Sequence, residues 1–376
     1  MRLALPSLII FLYAITSMVI FTNLRPALKI SLIILLFIIS LKYIIYVKAG
    51  GSFIAPDFPP YLLIVMETLY SALIMLVFMA VIKDLIALVL LLSRLAGTDW
   101  HMPFSKEIIN SCILAGALLF GIYGTYQSMK VPEIKTTEVE IENLPQNLNG
   151  FSIIQLTDIH IGLILDKKWL EKVVEKTNSA NPDLIVVTGD MIDGRVEKLG
   201  QEVSPLSRLY SKNGVVGVTG NHEYYFNFKK WVPVFEKMGI EILDNEHRVI
   251  DINGSKLIIA GVPDTYQKRF TGKGSDFLKA VKNAPEGLSV LLSHRPDGVP
   301  INTNADLQIS GHTHGGHIFF LKWLIGSYNG GLVNGLYEIN KRKIYVSPGT
   351  GLWAGFSCRI GVPSEITRIV LKSKDL

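Results

Sequence analysis

Residues 151–160 read Phe-Ser-Ile-Ile-Gln-Leu-Thr-Asp-Ile-His. Phe151–Leu156 is an apolar run of strand length that ends in Thr157-Asp158-Ile159-His160. Lys167–Asn178 follows with apolar positions at helical spacing (Trp169, Leu170, Val173, Val174, Thr177), and Asn181-Pro182 breaks it. Leu184–Val187 is then a second strand of buried type, ending in Gly189-Asp190. The arrangement recurs downstream. Val215–Val218 runs into Gly220-Asn221-His222-Glu223, Val290–Leu292 into Ser293-His294, and Leu307–Ile309 into Gly311-His312-Thr313-His314. Val249–Ile252 and Lys256–Ala260 flank Asn253-Gly254, a hairpin signal. Thr137–Ile141, Ile344–Val346 and Ile366–Leu371 complete the strands. Five apolar strands thus end in loops bearing Asp, His or Asn, and α/β sheets gather their ligand sites beyond the strands' carboxyl ends.

Each block alone is weak: an Asp-x-His triplet is common, and Gly-Asn-His-Glu reads equally as a turn. Their order and their shared position at strand ends make the ensemble specific. Asp158-x-His160, Gly189-Asp190-x-x-Asp193, Gly220-Asn221-His222-Glu223, His294 and Gly311-His312-Thr313-His314 resemble the signature of the calcineurin-like metallophosphoesterase superfamily over about residues 150–350. The extension Gly315-Gly316 and the ending Arg359-x-Gly-x-Pro-Ser-Glu365-Ile resemble the membrane-associated bacterial branch typified by YaeI and YkuE, although His317 stands where that branch usually carries Gln.

The resemblance implies a four-layer αββα sandwich, an α/β domain of two sheets flanked by helices. It also implies two divalent transition-metal ions. Asp158, His160 and His314 would hold one, Asn221, His294 and His312 the other, and Asp190 would bridge both. Oxygen and imidazole donors without sulfur suit Mn, Fe or Zn and do not choose among them. Such a pair of ions activates water at neutral pH and neutralises phosphoryl oxygens, so no serine or cysteine nucleophile is required. His222, beside Asn221 but not a ligand in the family pattern, is the natural proton donor to the leaving oxygen. Asp193 is read as supporting the His222 region, and Glu223 as orienting a neighbouring group. Arg295, next to His294, is a candidate phosphate grip or an ordinary salt bridge. His317 flanks the site or sits on an exposed loop, and Arg359 reaches substrate or packs near the C-terminus. His101 and His247 carry no surrounding pattern.

The N-terminal third is different in kind. Hydrophobic residues make up 49% of the 376-residue chain and charged residues 18%. Residues 1–130 hold nine Lys/Arg and five Asp/Glu, against 28 and 27 in the remainder. Leu3–Phe21, Ala27–Val47, Tyr61–Ile82 and Ile108–Met129 each approach the ~20 residues that cross a bilayer. The third is open to extension through Leu85–Leu92, past Lys83 and Asp84. These segments predict an all-α, four-helix transmembrane region over 1–130, a linker and first strand over 131–149, and the phosphoesterase domain over 150–376. The first segment is read as an uncleaved helix and not a leader, because a second span follows at once. A multi-pass cell-membrane protein results. Its orientation stays open, because Arg2, Lys42, Lys48, Lys130 and Lys135 on one side match Arg25, Lys29, Lys83, Arg94 and Lys106 on the other. Glu67, the acid at membrane depth, is placed near the interface.

Charge and cysteines narrow the partners. The C-terminal part is nearly neutral, which argues against nucleic acid. Cys112 and Cys358 lack CxxC companions and suggest neither a thiolate site nor a bridge. Tyr224-Tyr225-Phe226 with Trp231, and the stretch Ile318–Ile325 with Phe319, Phe320, Lys322 and Trp323, read either as core or as an interfacial belt. The belt favours a phosphorylated lipid or lipid-linked sugar, and the core reading a soluble phosphodiester. A rival architecture makes the helices a transporter regulated by the C-terminal domain. Against it, the apolar half lacks a Gly/Pro-broken helix pair. The oligomeric state is not legible.

Overall fold

The computed structural model describes residues 4–300 and 303–374. The chain divides into two units: residues 1–127 with Ala354–Ile360, and Ser128–Trp353 with Gly361–Leu376. The second unit is therefore not the continuous stretch 150–376 of the sequence reading, because seven residues near its end cluster with the N-terminal helices.

The first unit begins with α1 (Ala4–Ile15), which continues as a π-helical turn through Ile20. There follow α2 (Pro26–Ser40), α3 (Lys42–Ala49), α4 (Pro60–Leu95) and α5 (Lys106–Met129). Among the described residues, two helices, α4 and α5, are long and apolar enough to cross a membrane, or three if α2 and α3 form one bent span, and Ala4–Ile20 is a shorter apolar helix. Much of the surface of these helices is exposed Leu, Ile, Val and Phe, as hydrocarbon surroundings require.

The structure corrects two expectations. Residues 27–47 are not one helix: α2 and α3 meet at 59°. The break at Leu41 involves neither Gly nor Pro, and Ser40 Oγ donates to Phe37 O at 2.7 Å just before it, a side-chain bond that competes with the helical ladder. Glu67 is fully buried within the unit. Its carboxylate accepts from Lys42 Nζ on both oxygens at 2.9 Å, from Tyr46 Oη at 2.7 Å and from the Ser357 amide at 3.0 Å. Lys42 is likewise fully buried, so it does not belong in the count of loop charges that bears on orientation. Arg2, another member of that count, lies outside the described residues. The third apolar segment does run on, as α4 passes unbroken through Lys83 and Asp84 to Leu95. Cys112 and Cys358 are both free, and both belong to this unit.

The second unit is built on two six-stranded sheets. Its strands are β1 (Glu133–Ile141), β2 (Ser152–Leu156), β3 (Leu184–Thr188), β4 (Val215–Val218), β5 (Ile240–Ile242), β6 (Glu246–Ile252), β7 (Ser255–Gly261), β8 (Leu288–Leu292), β9 (Leu307–Ser310), β10 (Gly335–Ile339), β11 (Arg342–Val346) and β12 (Glu365–Ser373). One sheet runs β1-β12-β2-β3-β4-β5 and the other β10-β11-β9-β8-β7-β6. β2, β3, β4 and β5 are parallel, as are β7, β8 and β9, which aims their carboxyl ends the same way within each sheet. The hairpin β6–β7 turns on Asn253 and Gly254, both at positive φ.

Ile153, Leu184 and Val216 of the first sheet share one buried core with Leu257, Val290 and Leu307 of the second. Strands buried on both faces read as continuous apolar runs, which is why β2 and β3 lack polar alternation. A helix α6 (Lys167–Ser179) covers the outer face of the first sheet through Leu170, Val173 and Val174. Asp166 caps it by accepting from the Trp169 amide at 2.9 Å. A short helix at Phe277–Ala280 packs on the outer face of the second sheet. The layers are those of the expected αββα sandwich.

Candidate metal centre

β2, β3, β4, β8 and β9 deliver Asp158/His160, Asp190, Asn221/His222, His294 and His312/His314 from their ends. The backbone there is unusual. Asp158, His160, Asp190, His312 and His314 have φ between 49° and 70°, a region that costs non-glycine residues about 1–3 kcal/mol and that clusters at functional sites. Two glycines make room for the carboxylates. A Cβ on Gly220 would lie 2.1 Å from Asp190 Oδ1, and one on Gly311 would lie 2.3 Å from Asp158 Oδ2.

Two groups of donors result, Asp158–His160–His314 and Asp190–His294–His312, each with its potential ligand atoms within 4.8 Å of one another. Asp158 Oδ1 stands 3.9 Å from His160 Nε2 and 3.6 Å from His314 Nε2. Asp190 Oδ2 stands 3.2 Å from His294 Nε2 and 3.9 Å from His160 Nε2, between the two groups. His160 Nε2 is buried with no hydrogen-bond partner among the described residues. A buried ring nitrogen left open beside two carboxylates fits a cation, so the donor set passes on geometry as well as on residue type.

A third cluster, His160–Asp193–His222, is of another sort. Asp193 Oδ1 accepts from His160 Nδ1 at 2.9 Å and from His222 Nδ1 at 2.6 Å. These are hydrogen-bond lengths to the nitrogens opposite the centre, so Asp193 orients two imidazoles and fixes their tautomers. Glu223 ties the loops together, accepting from the amides of Asp190 at 3.0 Å, Met191 at 2.8 Å and Gly220 at 2.7 Å. His222 is held further by its own amide, which donates to Asp190 Oδ1 at 2.8 Å.

Electrostatics shows how strongly these groups are coupled. Burial works against the charged form of His222 and His294, yet the carboxylates around them push their pKa values up to about 9 and about 10. Burial likewise opposes charge on Asp193, but His160 and His222 bring it down to about 2, and imidazoles depress Asp190 further. Burial raises Asp158, and burial with Arg295 and His294 nearby holds His312 well below the usual range. The buried carboxylates thus draw positive charge toward the centre, which is the charge a divalent ion would supply.

The calcineurin-like phosphoesterase family profile matches residues 151–316. An uncharacterized metallophosphoesterase of Campylobacter jejuni is 33% identical over 317 residues, 82% of each chain. The chain belongs to the calcineurin-like metallophosphoesterases. YkuE of Bacillus subtilis, also an uncharacterized metallophosphoesterase, is 31% identical over 274 residues, 69% of this chain and 94% of YkuE. A Danio rerio transmembrane protein with metallophosphoesterase domain is 33% identical over 279 residues, 71% of this chain. The match spans 63% of that fish protein, short of two thirds of its length. This family is metal-dependent, and the two helices long and apolar enough to cross a membrane point to membrane association.

The other sequence candidates fall into place unequally. Arg295 donates from Nε to Asp264 at 2.8 Å and from Nη2 to Asn221 Oδ1 at 3.1 Å, so it is anchored at the edge of the centre and is not a loose surface pair. Asp264 escaped the sequence reading, although it too lies just past a strand, β7. His317 is buried and not on an exposed loop, with its ring 5.0 Å from that of His314. Arg359 is buried in the first unit, its amide donating to Gly124 O at 2.9 Å, which removes it from the substrate candidates. Trp231 is core: fully buried, stacked on Phe235, its Nε1 donating to Gly194 O at 2.9 Å. Tyr225 is 39% exposed with its ring 5.2 Å from His222. His247 Nδ1 meets Ala280 O at 2.7 Å, and His101 is exposed, so both stay outside the centre.

Proposed function

We propose that this metallophosphoesterase binds two divalent ions, Mn, Fe or Zn, and hydrolyses a phosphoester or pyrophosphate bond of a substrate presented at the membrane. The observation that carries the reading is the position of Asp190 Oδ2 between the two donor groups. Asp158, His160 and His314 hold one ion, Asn221, His294 and His312 the other, and Asp190 both. When bound, the ions polarise the phosphoryl group and supply an activated water.

The chain's own side chains do the rest. His222, oriented through Nδ1 by Asp193, presents Nε2 on the centre's side, 3.7 Å from Asp190 Oδ2. It gives its proton to the departing oxygen. Arg295 grips a phosphoryl oxygen from the edge fixed by Asp264. Glu223 and Gly220 keep the β3 and β4 loops, and Gly311 the β2 and β9 loops, at the separation the donors need.

Support for a lipid or lipid-linked substrate comes from the stretch after the His314 loop. Ile318 is buried, whereas Phe319, Trp323 and Tyr328 are 50%, 74% and 75% exposed. Aromatics exposed to that degree beside Lys322 suit a headgroup layer. The full chain in lipid nanodiscs should hydrolyse both a soluble aryl phosphodiester and a lipid-embedded phosphoester, and lose both activities on chelation. Trp323→Ser should slow the lipid substrate selectively. Unchanged lipid turnover in that variant would direct the search to a soluble phosphodiester, and no chelator-sensitive hydrolysis of either would overturn the proposal.

A further inference from the structure

Two cavities lie within the first unit. One, about 510 Å³, is a groove lined by Leu28, Leu32 and Leu36 of α2, Leu73 and Leu76 of α4, and Leu118 of α5. Its α2 wall runs from Leu28 to Ile39, roughly 16 Å of helix at 1.5 Å per residue. That is about half of a ~30 Å hydrocarbon core, the depth of one leaflet. The lining turns polar at the start of α5, where Glu107, Asn110 and Ser111 meet Thr22.

The second cavity, about 580 Å³, is walled by Lys83 and Asp84 of α4, Tyr13 and Ser17 of the first helix, and Lys106 and Asn110 of α5. It is a built polar site. Asp84 Oδ2 accepts from Tyr13 Oη at 2.7 Å and from Ser17 Oγ at 2.6 Å. Lys83 Nζ stands 3.0 Å from Ser17 O, 3.2 Å from Asp84 Oδ1 and 3.5 Å from Asn110 Oδ1. Within this cavity Lys83 and Lys106 accompany one carboxylate, Asp84, with Lys106 Nζ donating to Phe21 O at 2.6 Å, while the exposed Glu107 of the adjoining groove accepts from Asn23 Nδ2 at 3.1 Å.

Asn110 lines both cavities. It is 8% exposed, and its Nδ2 finds no acceptor among the described residues. An amide donor in apolar surroundings calls for an acceptor oxygen. We infer that the two cavities form one binding site for an anionic glycerophospholipid. An acyl chain fills the leucine groove, the phosphate sits against Lys83 and Lys106, and Asn110 Nδ2 donates to an ester or phosphate oxygen where the two meet. The site does not depend on the hydrolytic reading.

The test is native mass spectrometry of the full chain, delipidated in mild detergent and titrated with dioleoyl phosphatidylglycerol or dioleoyl phosphatidylcholine. Wild type should bind one phosphatidylglycerol at least fivefold more tightly than phosphatidylcholine. Asn110→Leu, which removes the donor at similar volume, and Leu118→Trp, which fills the groove from its exposed side, should each lose that binding fivefold or more. Lys106→Gln, a change at an exposed residue whose Nζ also donates to Phe21 O at 2.6 Å, should erase the preference for the anionic lipid. Thermal unfolding without lipid identifies any variant that fails to fold, and the others then decide. Equal binding of the two lipids by wild type, or unchanged phosphatidylglycerol binding in the folded variants, would overturn the inference.

Discussion

Asp193 offers the sharpest test of how the centre is organised, because one oxygen serves two imidazoles with different tasks. Asp193→Asn keeps shape and an acceptor but removes the charge. A hydrogen bond to a charged group contributes about 1.5–3 kcal/mol against about 0.5–1.5 for a neutral one, so each bond weakens by roughly 1–1.5 kcal/mol. At ~1.4 kcal/mol per tenfold, the share acting through His222 is about tenfold in rate, and the His160 share adds up to another tenfold. The combined loss, about 10–100-fold, matches what removal of a group behind a metal ligand usually costs. The assay is kcat/KM for a double-mutant cycle of Asp193→Asn with His222→Ala, on alkyl and nitrophenyl phosphodiesters. His222→Ala alone should cost about 10²–10⁴ on the alkyl ester, whose departing oxygen needs a proton, and far less on the nitrophenyl ester. In that background Asp193→Asn should cost only the share that passes through His160, so the two losses fall short of additive by about tenfold. Full additivity, with equal loss across leaving groups, would refute the coupling of Asp193 to His222 and leave it a purely structural support.

Asp190→Asn should lose most activity and much of the bound metal by elemental analysis, since two cations would then share one charge fewer; full occupancy and rate would exclude a bridging role. Gly220→Ala should reduce activity at least a hundredfold while the sheets stay folded by circular dichroism, because its Cβ would fall 2.1 Å from Asp190 Oδ1. Asp183 links β2 to β3 by accepting from Ser152 N and Oγ, both at 2.9 Å, and Lys212 Nζ stands 2.8 Å away. Burial opposes its ionisation, but Lys212 and Ser152 hold its pKa below the usual 3.8. Its stabilisation is therefore complete above about pH 4 and fades as pH falls through the lowered folded value. Asp183→Asn should lower stability by about 1 kcal/mol at neutral pH, and denaturant titrations of variant and wild type should converge once pH has fallen through the lowered folded value.

The site was legible in the chain because each of its blocks follows a strand whose burial writes itself as an apolar run. β2, β3, β4, β8 and β9 were all visible in that way, and with them Asp158, Asp190, Asn221, His294 and His312. The positive φ angles of those residues were not visible, since nothing in Asp or His signals the left-handed region. Asp264 was missed because β7 was noticed as half of a hairpin, and its role depends on Arg295, thirty-one residues on. His317 looked like a loop residue because it follows two glycines, yet the turn folds it inward against His314.

In the apolar half, the reading failed where pattern carries no geometry. A run of twenty apolar residues looks the same straight or bent by 59°, and Lys42 in it looked like the end of a span. The structure gives the reason it is not an end. Lys42 and Glu67 are both fully buried, and such a pair forfeits more hydration than its own attraction returns unless every lone pair is met. Here the carboxylate takes Lys42 on both oxygens, Tyr46 on one and the Ser357 amide on the other, while the ammonium rests 3.9 Å from the centre of the Tyr70 ring. The bend at Leu41 is what turns Lys42 toward Glu67, and the amide that completes the set arrives from a segment 290 residues further along. That segment, Ala-Gly-Phe-Ser-Cys-Arg-Ile, has neither strand nor helix periodicity, so its place among the helices follows from tertiary need alone. A buried ion pair so fully satisfied leaves no open ligand position on the Glu67 carboxylate, so the bend between α2 and α3 is accounted for by the packing of this pair.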